Sequence, residues 1–252
     1  MDDRRSQGAA HAFADGMSRV AAAPVLLAGT IALVLFYGAP VDLRSAAGAL
    51  LLWAFFSGGI LDRYARRRAT RAAGFSGACG AHFGAMLRLG LVMLLVIALF
   101  HAVVGSAFAN PYVHKAGFVL ALTMFLLLSF AQVRIAVEDR RSAVGALFAG
   151  ARFVLRNPSA MVLYVFAGLL IAGTQIAYES TVRTLDSESA ALALTDTAIA
   201  IETTLLLVWL ASAIAFFQGR LAHAGYTAAP PLLWPESPAA EAIGHAAPGH
   251  TP

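Results

Sequence analysis

The sequence predicts an all-α membrane protein with about six transmembrane helices and two or three amphipathic helices on the cytoplasmic surface. Its residues are 59% hydrophobic and only 13% charged, whereas about a quarter of the residues in soluble domains are charged. Several apolar stretches approach or reach the ~17 to 25 residues that cross a hydrocarbon core as an α-helix. Basic residues are concentrated in alternate connections between these stretches, as in proteins that cross a membrane repeatedly.

Six apolar stretches are predicted to be spans. They lie at residues 20–39, 45–61, 87–108, 116–137, 159–178 and 192–218. The second stretch is the shortest and rises only about 25 Å as a helix, so its ends must lie at the hydrocarbon boundary or the bilayer must thin. The charge pattern still requires it as a crossing, because without it Arg44 and the basic cluster that begins at Arg63 would lie on one side.

The basic residues also predict the orientation. If both termini face the cytoplasm, only Arg44, Lys115 and Arg183 lie outside, and the other fifteen of the eighteen Lys and Arg residues lie inside. Cytoplasmic loops of membrane proteins carry such an excess of positive charge. We therefore expect a multi-pass protein of the bacterial inner (plasma) membrane, with its N- and C-termini in the cytoplasm.

Three regions are expected along the chain. Residues 1–19 form a cytoplasmic N-terminal segment that can include an interfacial helix, residues 20–220 form the transmembrane domain, and residues 221–252 form a disordered cytoplasmic tail rich in Ala, Pro, Gly and His. The first apolar stretch is longer than the ~7 to 15 apolar residues of a secretory signal. It is therefore interpreted as a retained helix, not a cleaved signal.

The two large cytoplasmic loops are predicted to form interfacial helices. The first follows Asp62 and Arg63 and reads GFSGACGAHFGAML; the second follows EDRR at residues 138–141 and reads SAVGALFAGARFVL. A helical projection of the second loop has basic and apolar residues on opposite sides. The basic side contains Arg141, Arg152 and Arg156, and the apolar side contains Ala143, Leu147, Gly150 and Val154. Such a helix would lie flat, with its arginines among lipid phosphates.

A close helix contact is also predicted in the first loop. Gly80 and Gly84 have the spacing that lets another helix backbone approach closely.

Anionic lipid headgroups are the expected partner of the arginines. The net charge of +4 arises from loops beside the membrane, which favours lipid over nucleic acid; protein partners within the membrane are also compatible with this surface. The candidate headgroup contacts are Arg63, Arg66, Arg67, Arg68, Arg88, Arg140, Arg141, Arg152 and Arg156.

A second candidate site is a polar layer inside the apolar helices. Glu202 is the one acidic residue well inside an apolar stretch, and an ionisable residue at such a position is a functional candidate. His101 lies at a comparable depth in the third stretch, and Thr174, Gln175 and Tyr178 approach that level from the fifth. The alternative is a structural hydrogen-bond cluster, or a Glu202 that is simply protonated because it is buried.

Neither catalysis nor a cofactor is expected. The sequence has no HExxH, no GxSxG and no glycine-rich phosphate loop. Cys79 is the only cysteine, so the chain forms no internal disulfide, and no metal site is predicted.

Two segments carry a resemblance to a known group of proteins. Residues 133–158, VRIAVEDRRSAVGALFAGARFVLRNP, and the earlier segment SGGILDRYARRR resemble loops of uncharacterised bacterial six-helix inner-membrane proteins. Those proteins are similar to the membrane domain of some glycerophosphodiester phosphodiesterases. The resemblance implies a six-helix inner-membrane protein and carries over no catalytic residue, because that membrane domain is not the hydrolase.

Together these observations predict a non-enzymatic protein that organises the membrane or belongs to a larger complex. The alternative is a small transporter or lipid carrier that uses the polar layer around Glu202.

Overall fold

A computed structural model of the protein describes residues 8–37, 43–67, 72–104, 111–185 and 187–228. These ranges contain eight α-helices and no strand, which confirms the all-α prediction. The helices are α1 (Ala9–Ala21), α2 (Pro24–Tyr37), α3 (Leu43–Arg66), α4 (Ala72–Val104), α5 (Pro111–Glu138), α6 (Ala143–Arg156), α7 (Ser159–Val182) and α8 (Glu188–Ala228). Predictions about Arg68, residues 1–7 and residues 229–252 lie outside the described residues.

The chain divides into two compact units, residues 1–217 and residues 218–252. Of the second unit, the structure describes only the last turns of α8, which continues to Ala228. The helices and contacts discussed below belong to the first unit.

Three described helices are long and apolar enough to cross a membrane. They are Ala72–Val96 within α4, Ser159–Val182, which is α7, and Glu188–Leu221 within α8. The pair α1 and α2 adds a fourth if the two helices form one broken span. The prediction of about six spans is therefore corrected to three, or up to four, across the described ranges. Helices of this length and hydropathy are typical of a membrane protein.

The first predicted span is broken where the sequence analysis expected one helix. Helix α1 ends at Ala21, α2 begins at Pro24, and the two helices are bent by 85° relative to one another. Proline has no backbone N–H, and its ring clashes with the carbonyl four residues earlier, so the preceding helix ends. With 14 residues, α2 alone rises only about 21 Å, less than a hydrocarbon core of about 30 Å.

The first predicted interfacial helix is not a separate element. Residues 74–87 belong to α4, which runs for 33 residues without a break. No proline interrupts this stretch, and glycine in a helix costs only about 1 kcal/mol relative to alanine. A Cβ added at Gly80 or Gly84 meets nothing within 4 Å among the described residues, so these two glycines do not bring α4 against any described helix.

The glycines that bring α3 and α4 together lie on α3 instead. A Cβ at Gly58 would lie 2.7 Å from the Cβ of His82, and one at Gly59 would overlap the sulfur of Cys79. A glycine also lets α5 and α6 approach closely, because a Cβ at Gly150 would lie 3.1 Å from the backbone nitrogen of Ala131. Small residues of this kind let helix backbones pack closely in a membrane.

Helix α8 provides the buried centre of the first unit. Its residues 207–217 are all buried. The indole nitrogen of Trp209 donates a hydrogen bond to Ser129 Oγ of α5 over 3.1 Å, and Tyr164 of α7 packs edge-on against the Trp209 ring. The Tyr164 hydroxyl in turn donates to the Leu122 carbonyl oxygen over 2.9 Å. Two aromatic side chains with polar tips thus connect α5, α7 and α8.

Helix α1 packs with one face against α7 and α8. Its buried residues are Ala12, Gly16, Arg19 and Val20. A Cβ at Gly16 would overlap Ser212 Oγ and lie 2.7 Å from the Ser212 nitrogen. The Phe13 ring meets the Phe166 ring edge-on at 4.9 Å.

The chain reverses direction after α3 and α5 at residues with a left-handed backbone. Arg67 and Asp139 both have φ of 53°, a conformation in which glycine is the commonest residue at the end of a helix. After Asp139, the Ser142 hydroxyl accepts a hydrogen bond from the Gly145 nitrogen over 3.1 Å and caps the start of α6.

The close contact at Gly16 predicts that a larger residue at this position loosens the packing of α1. Gly16→Ala forces a methyl group into the backbone of Ser212, and overpacking of this kind costs about 1–3 kcal/mol. We expect faster amide hydrogen exchange along α1 in the detergent-solubilised protein, measured by mass spectrometry. Gly168→Ala on α7 is the matched control, because a Cβ there meets nothing within 4 Å among the described residues. Unchanged exchange in α1 of Gly16→Ala would contradict the role of this contact.

Candidate functional site

Helix α6 presents three different surfaces. Its buried surface contains Ala143, Ala146, Gly150 and Val154, which matches the apolar side that the helical projection predicts. Arg152 and Arg156 are exposed on the opposite side, and Arg141, just before the helix, is exposed as well. The predicted separation of arginines from apolar residues is therefore present in the fold.

The third surface of α6 is apolar and exposed. Val144, Phe148 and Leu155 are 53%, 73% and 82% exposed. They lie at positions i, i+4 and i+11, which places them along one strip of the helix. The helical projection of the sequence has only a basic side and an apolar side, so it does not predict this strip. An exposed apolar strip beside arginines is typical of a helix that enters the lipid headgroup region.

The predicted headgroup arginines fall into two groups according to their partners. Three of them are paired with carboxylates: Arg66 Nε lies 2.6 Å from Asp62 Oδ1, Arg67 pairs with Asp15, and Arg140 pairs with Glu138. Five more form no ion pair with any acidic side chain in the described part of the chain. These are Arg63, Arg88, Arg141, Arg152 and Arg156, and Arg68 lies outside the described residues.

The paired arginines stabilise the fold at the junction of α1 and α3. Arg19 is buried, and its Nη2 lies 3.0 Å from Asp15 Oδ2, which also accepts from Arg67. Arg19 Nη1 donates to the Tyr64 carbonyl oxygen over 2.8 Å. Asp15 and Arg19 have the i, i+4 spacing of a helical ion pair, so this contact is visible in the sequence although it was not predicted above.

The Tyr64 side chain belongs to the same junction. Its hydroxyl oxygen is buried and has no hydrogen-bond partner among the described residues. Burial raises the pKa of the Tyr64 phenol to about 12, against a smaller opposing effect of Arg63. The phenol is therefore neutral at physiological pH.

Two contacts hold the connection between α5 and α6 against α4. Arg88 Nη1 donates to the Arg141 carbonyl oxygen over 3.4 Å, and His82 Nδ1 lies 3.9 Å from Asp139 Oδ1. Between α4 and the start of α6 opens a groove of about 570 Å³. It is lined by Arg88, Leu91, Val92, Arg141, Ser142, Ala143 and Val144. The groove thus combines two exposed cations with an apolar wall.

The residues of the predicted polar layer are only partly brought together. The Tyr178 hydroxyl lies 3.1 Å from Thr195 Oγ1 of α8, the Thr174 hydroxyl donates to the Leu170 carbonyl of its own helix, and Gln175 is exposed. Glu202 has one buried carboxyl oxygen without a hydrogen-bond partner among the described residues. His101 belongs to α4, but its side chain lies outside the described residues.

The described residues contain no group of three or more His, Cys, Asp or Glu side chains that could hold a metal ion. The groups that the α4 and α6 surface offers are guanidinium cations and exposed apolar side chains, which bind anions and hydrocarbon. Comparisons of the chain with protein-family models, with curated proteins and with solved structures found no match.

Proposed function

We propose that the protein is a non-enzymatic integral membrane protein whose arginine surface binds anionic phospholipids, in a membrane-organising role or as a component of a larger complex. The observation that supports this proposal is the surface formed by α4 and α6. Four exposed arginines there lack an acidic partner among the described residues and lie beside the exposed apolar strip of α6. They are Arg88, Arg141, Arg152 and Arg156.

The pairing of the arginines determines which of them are available to lipid. A carboxylate that already accepts from a guanidinium group offsets its positive charge, as Asp62 does for Arg66. An unpaired guanidinium group can bind phosphate through two parallel hydrogen bonds. Each basic residue near an anionic membrane surface contributes about 1 kcal/mol.

The exposed strip of α6 supplies the apolar part of the same interaction. The free energy of apolar surface in water is about 25 cal/mol higher for each Å² than that of the same surface in hydrocarbon. If α6 lies in the headgroup region with its apolar strip towards the acyl chains, the side chains of Phe148 and Leu155 are no longer exposed to water and this unfavourable free energy is removed. In this proposal the arginine surface faces the cytoplasm of a bacterial inner membrane, because the cytoplasmic loops of membrane proteins carry an excess of Lys and Arg. Both termini lie on that side if the pair α1 and α2 forms a fourth span.

The proposed function predicts lipid retention that depends on the unpaired arginines. Protein extracted from a membrane of known composition should retain anionic phospholipid in excess of its share, as measured by lipid mass spectrometry. Substituting Arg88, Arg141, Arg152 and Arg156 together by Gln should reduce this excess severalfold, because each contact contributes about 1 kcal/mol.

The control for this experiment is a variant of two acid-paired arginines, Arg66→Gln with Arg140→Gln. Both side chains are exposed and interact with carboxylates, and Gln retains a hydrogen-bond donor. We expect this variant to retain as much anionic lipid as the wild type. Retention at the bulk membrane composition in the wild type would contradict the proposal.

A second candidate function, a small transporter or lipid carrier, is favoured by one observation. Glu202 lies in the span Glu188–Leu221, and one of its carboxyl oxygens is buried without a partner among the described residues. Unpaired polar groups in hydrocarbon are costly, and ionisable groups there commonly mark a transport pathway.

The carrier hypothesis predicts that Glu202→Gln abolishes transport, because glutamine cannot exchange a proton. The measurement is transbilayer movement of a fluorescent phosphatidylglycerol in vesicles containing the reconstituted protein. Thr197→Val is the control, since the Thr197 hydroxyl is exposed and donates to the Ala193 carbonyl of its own helix. Movement that is absent in the wild type, or that persists unchanged in Glu202→Gln, would exclude this role of Glu202.

A further inference from the structure

We infer that the groove between α4 and α6 binds one molecule of an anionic phospholipid, an assignment that rests on the proposed lipid-binding function and names its ligand and position. The phosphate lies between Arg88 and Arg141, and one acyl chain lies along Leu91, Val92 and Val144. All five residues line the same groove.

The cationic end of the groove has free hydrogen-bonding capacity. Arg88 uses one nitrogen to donate to the Arg141 carbonyl oxygen, and a guanidinium group has five N–H donors in total. Neither arginine is paired with an acidic side chain in the described ranges. An anion between two neighbouring guanidinium groups relieves their mutual repulsion, and a phosphodiester matches their fork geometry.

The apolar wall of the groove continues into the exposed surface of α4. Leu91, Leu95 and Leu99 are all exposed and lie at i, i+4 and i+8, so they form a track about 12 Å long on one side of the helix. The first two of them belong to the segment Ala72–Val96, which is long and apolar enough to cross a membrane. The groove therefore has two arginines beside an apolar track that leads along this helix.

This combination favours a phospholipid over a free anion. Inorganic or glycerol phosphate would use the two arginines but leave Leu91 and Val144 exposed. A phospholipid satisfies both parts, because its phosphate binds the two arginines and its acyl chain covers the apolar wall that a small anion would leave exposed to water. The ligand is thus an anionic lipid of the surrounding leaflet.

The test counts lipids on the purified full-length protein by native mass spectrometry. Protein in dodecyl maltoside is titrated with dioleoyl phosphatidylglycerol, dioleoyl phosphatidylcholine or glycerol phosphate. We expect one tightly bound phosphatidylglycerol, weaker binding of phosphatidylcholine and no binding of glycerol phosphate. Glycerol phosphate binding as tight as that of phosphatidylglycerol would overturn the assignment to a lipid.

Two variants test the two ends of the groove separately. Arg88→Gln with Arg141→Gln should weaken phosphatidylglycerol binding by about tenfold or more, the effect of losing one charge-assisted hydrogen bond. Val144→Trp should cause a comparable loss by filling the groove without changing its charge. Thermal unfolding of each variant shows whether it retains the fold.

Two matched variants change the same residue types outside the groove. Arg66→Gln with Arg140→Gln removes the same charge from two acid-paired arginines, and Leu169→Trp adds a similar bulk on the exposed side of α7. Both should bind the single phosphatidylglycerol as the wild type does. Equal losses in the groove variants and in these variants would overturn the site.

The outcomes separate this site from the broader function. Excess anionic lipid in the extracted protein without a single phosphatidylglycerol bound at the groove would overturn the site and leave the proposed function standing. One phosphatidylglycerol bound at the groove, with no further anionic lipid whose retention depends on Arg152 and Arg156, would overturn the broader lipid-binding surface and leave the site standing.

Discussion

The close approach of helix backbones at small residues is the constraint on which this bundle depends. Lipid chains are as apolar as leucine, so helices in a membrane gain little by exchanging lipid contacts for one another and associate through tight packing and hydrogen bonds. Gly16 against Ser212, Gly58 against His82 and Gly150 against Ala131 are three such contacts. They hold α1 and α6 firmly enough that the outer surfaces of these short helices have a defined direction. The exposed arginines and apolar strip of α6 follow from this packing.

The positions of the carboxylates then determine which arginines remain available to bind lipid phosphates. Asp15, Asp62 and Glu138 lie on α1, α3 and α5, and each is paired with a nearby arginine. Helices α4 and α6 contain no acidic residue at all. The positive surface is therefore a property of two acid-free helices that lie side by side, and the number of arginines in the chain alone does not explain it.

The sequence predicted the buried and basic sides of α6 and missed what depends on contacts between helices. The faces of α6 follow from its own 3.6-residue period, so Ala143, Gly150 and Val154 were assigned correctly to the buried side. The break before Pro24 was missed because proline is tolerated in membrane helices when neighbouring groups satisfy the freed carbonyl. The pair Arg67 and Asp15 joins residues 52 positions apart, and no local pattern contains that information. For Glu202, the position along the apolar stretch predicted its depth but not which side chains surround it.

The left-handed residues Arg67 and Asp139 combine a backbone role with a side-chain role where α3 and α5 end. Glycine at these positions would adopt the same backbone at lower cost, but it would offer no side chain. Arg67 instead pairs with Asp15, and the Asp139 carboxylate lies 3.9 Å from His82. The backbone after each of these helices is therefore attached to a neighbouring helix through the side chain of the same residue, and glycine could not form this attachment.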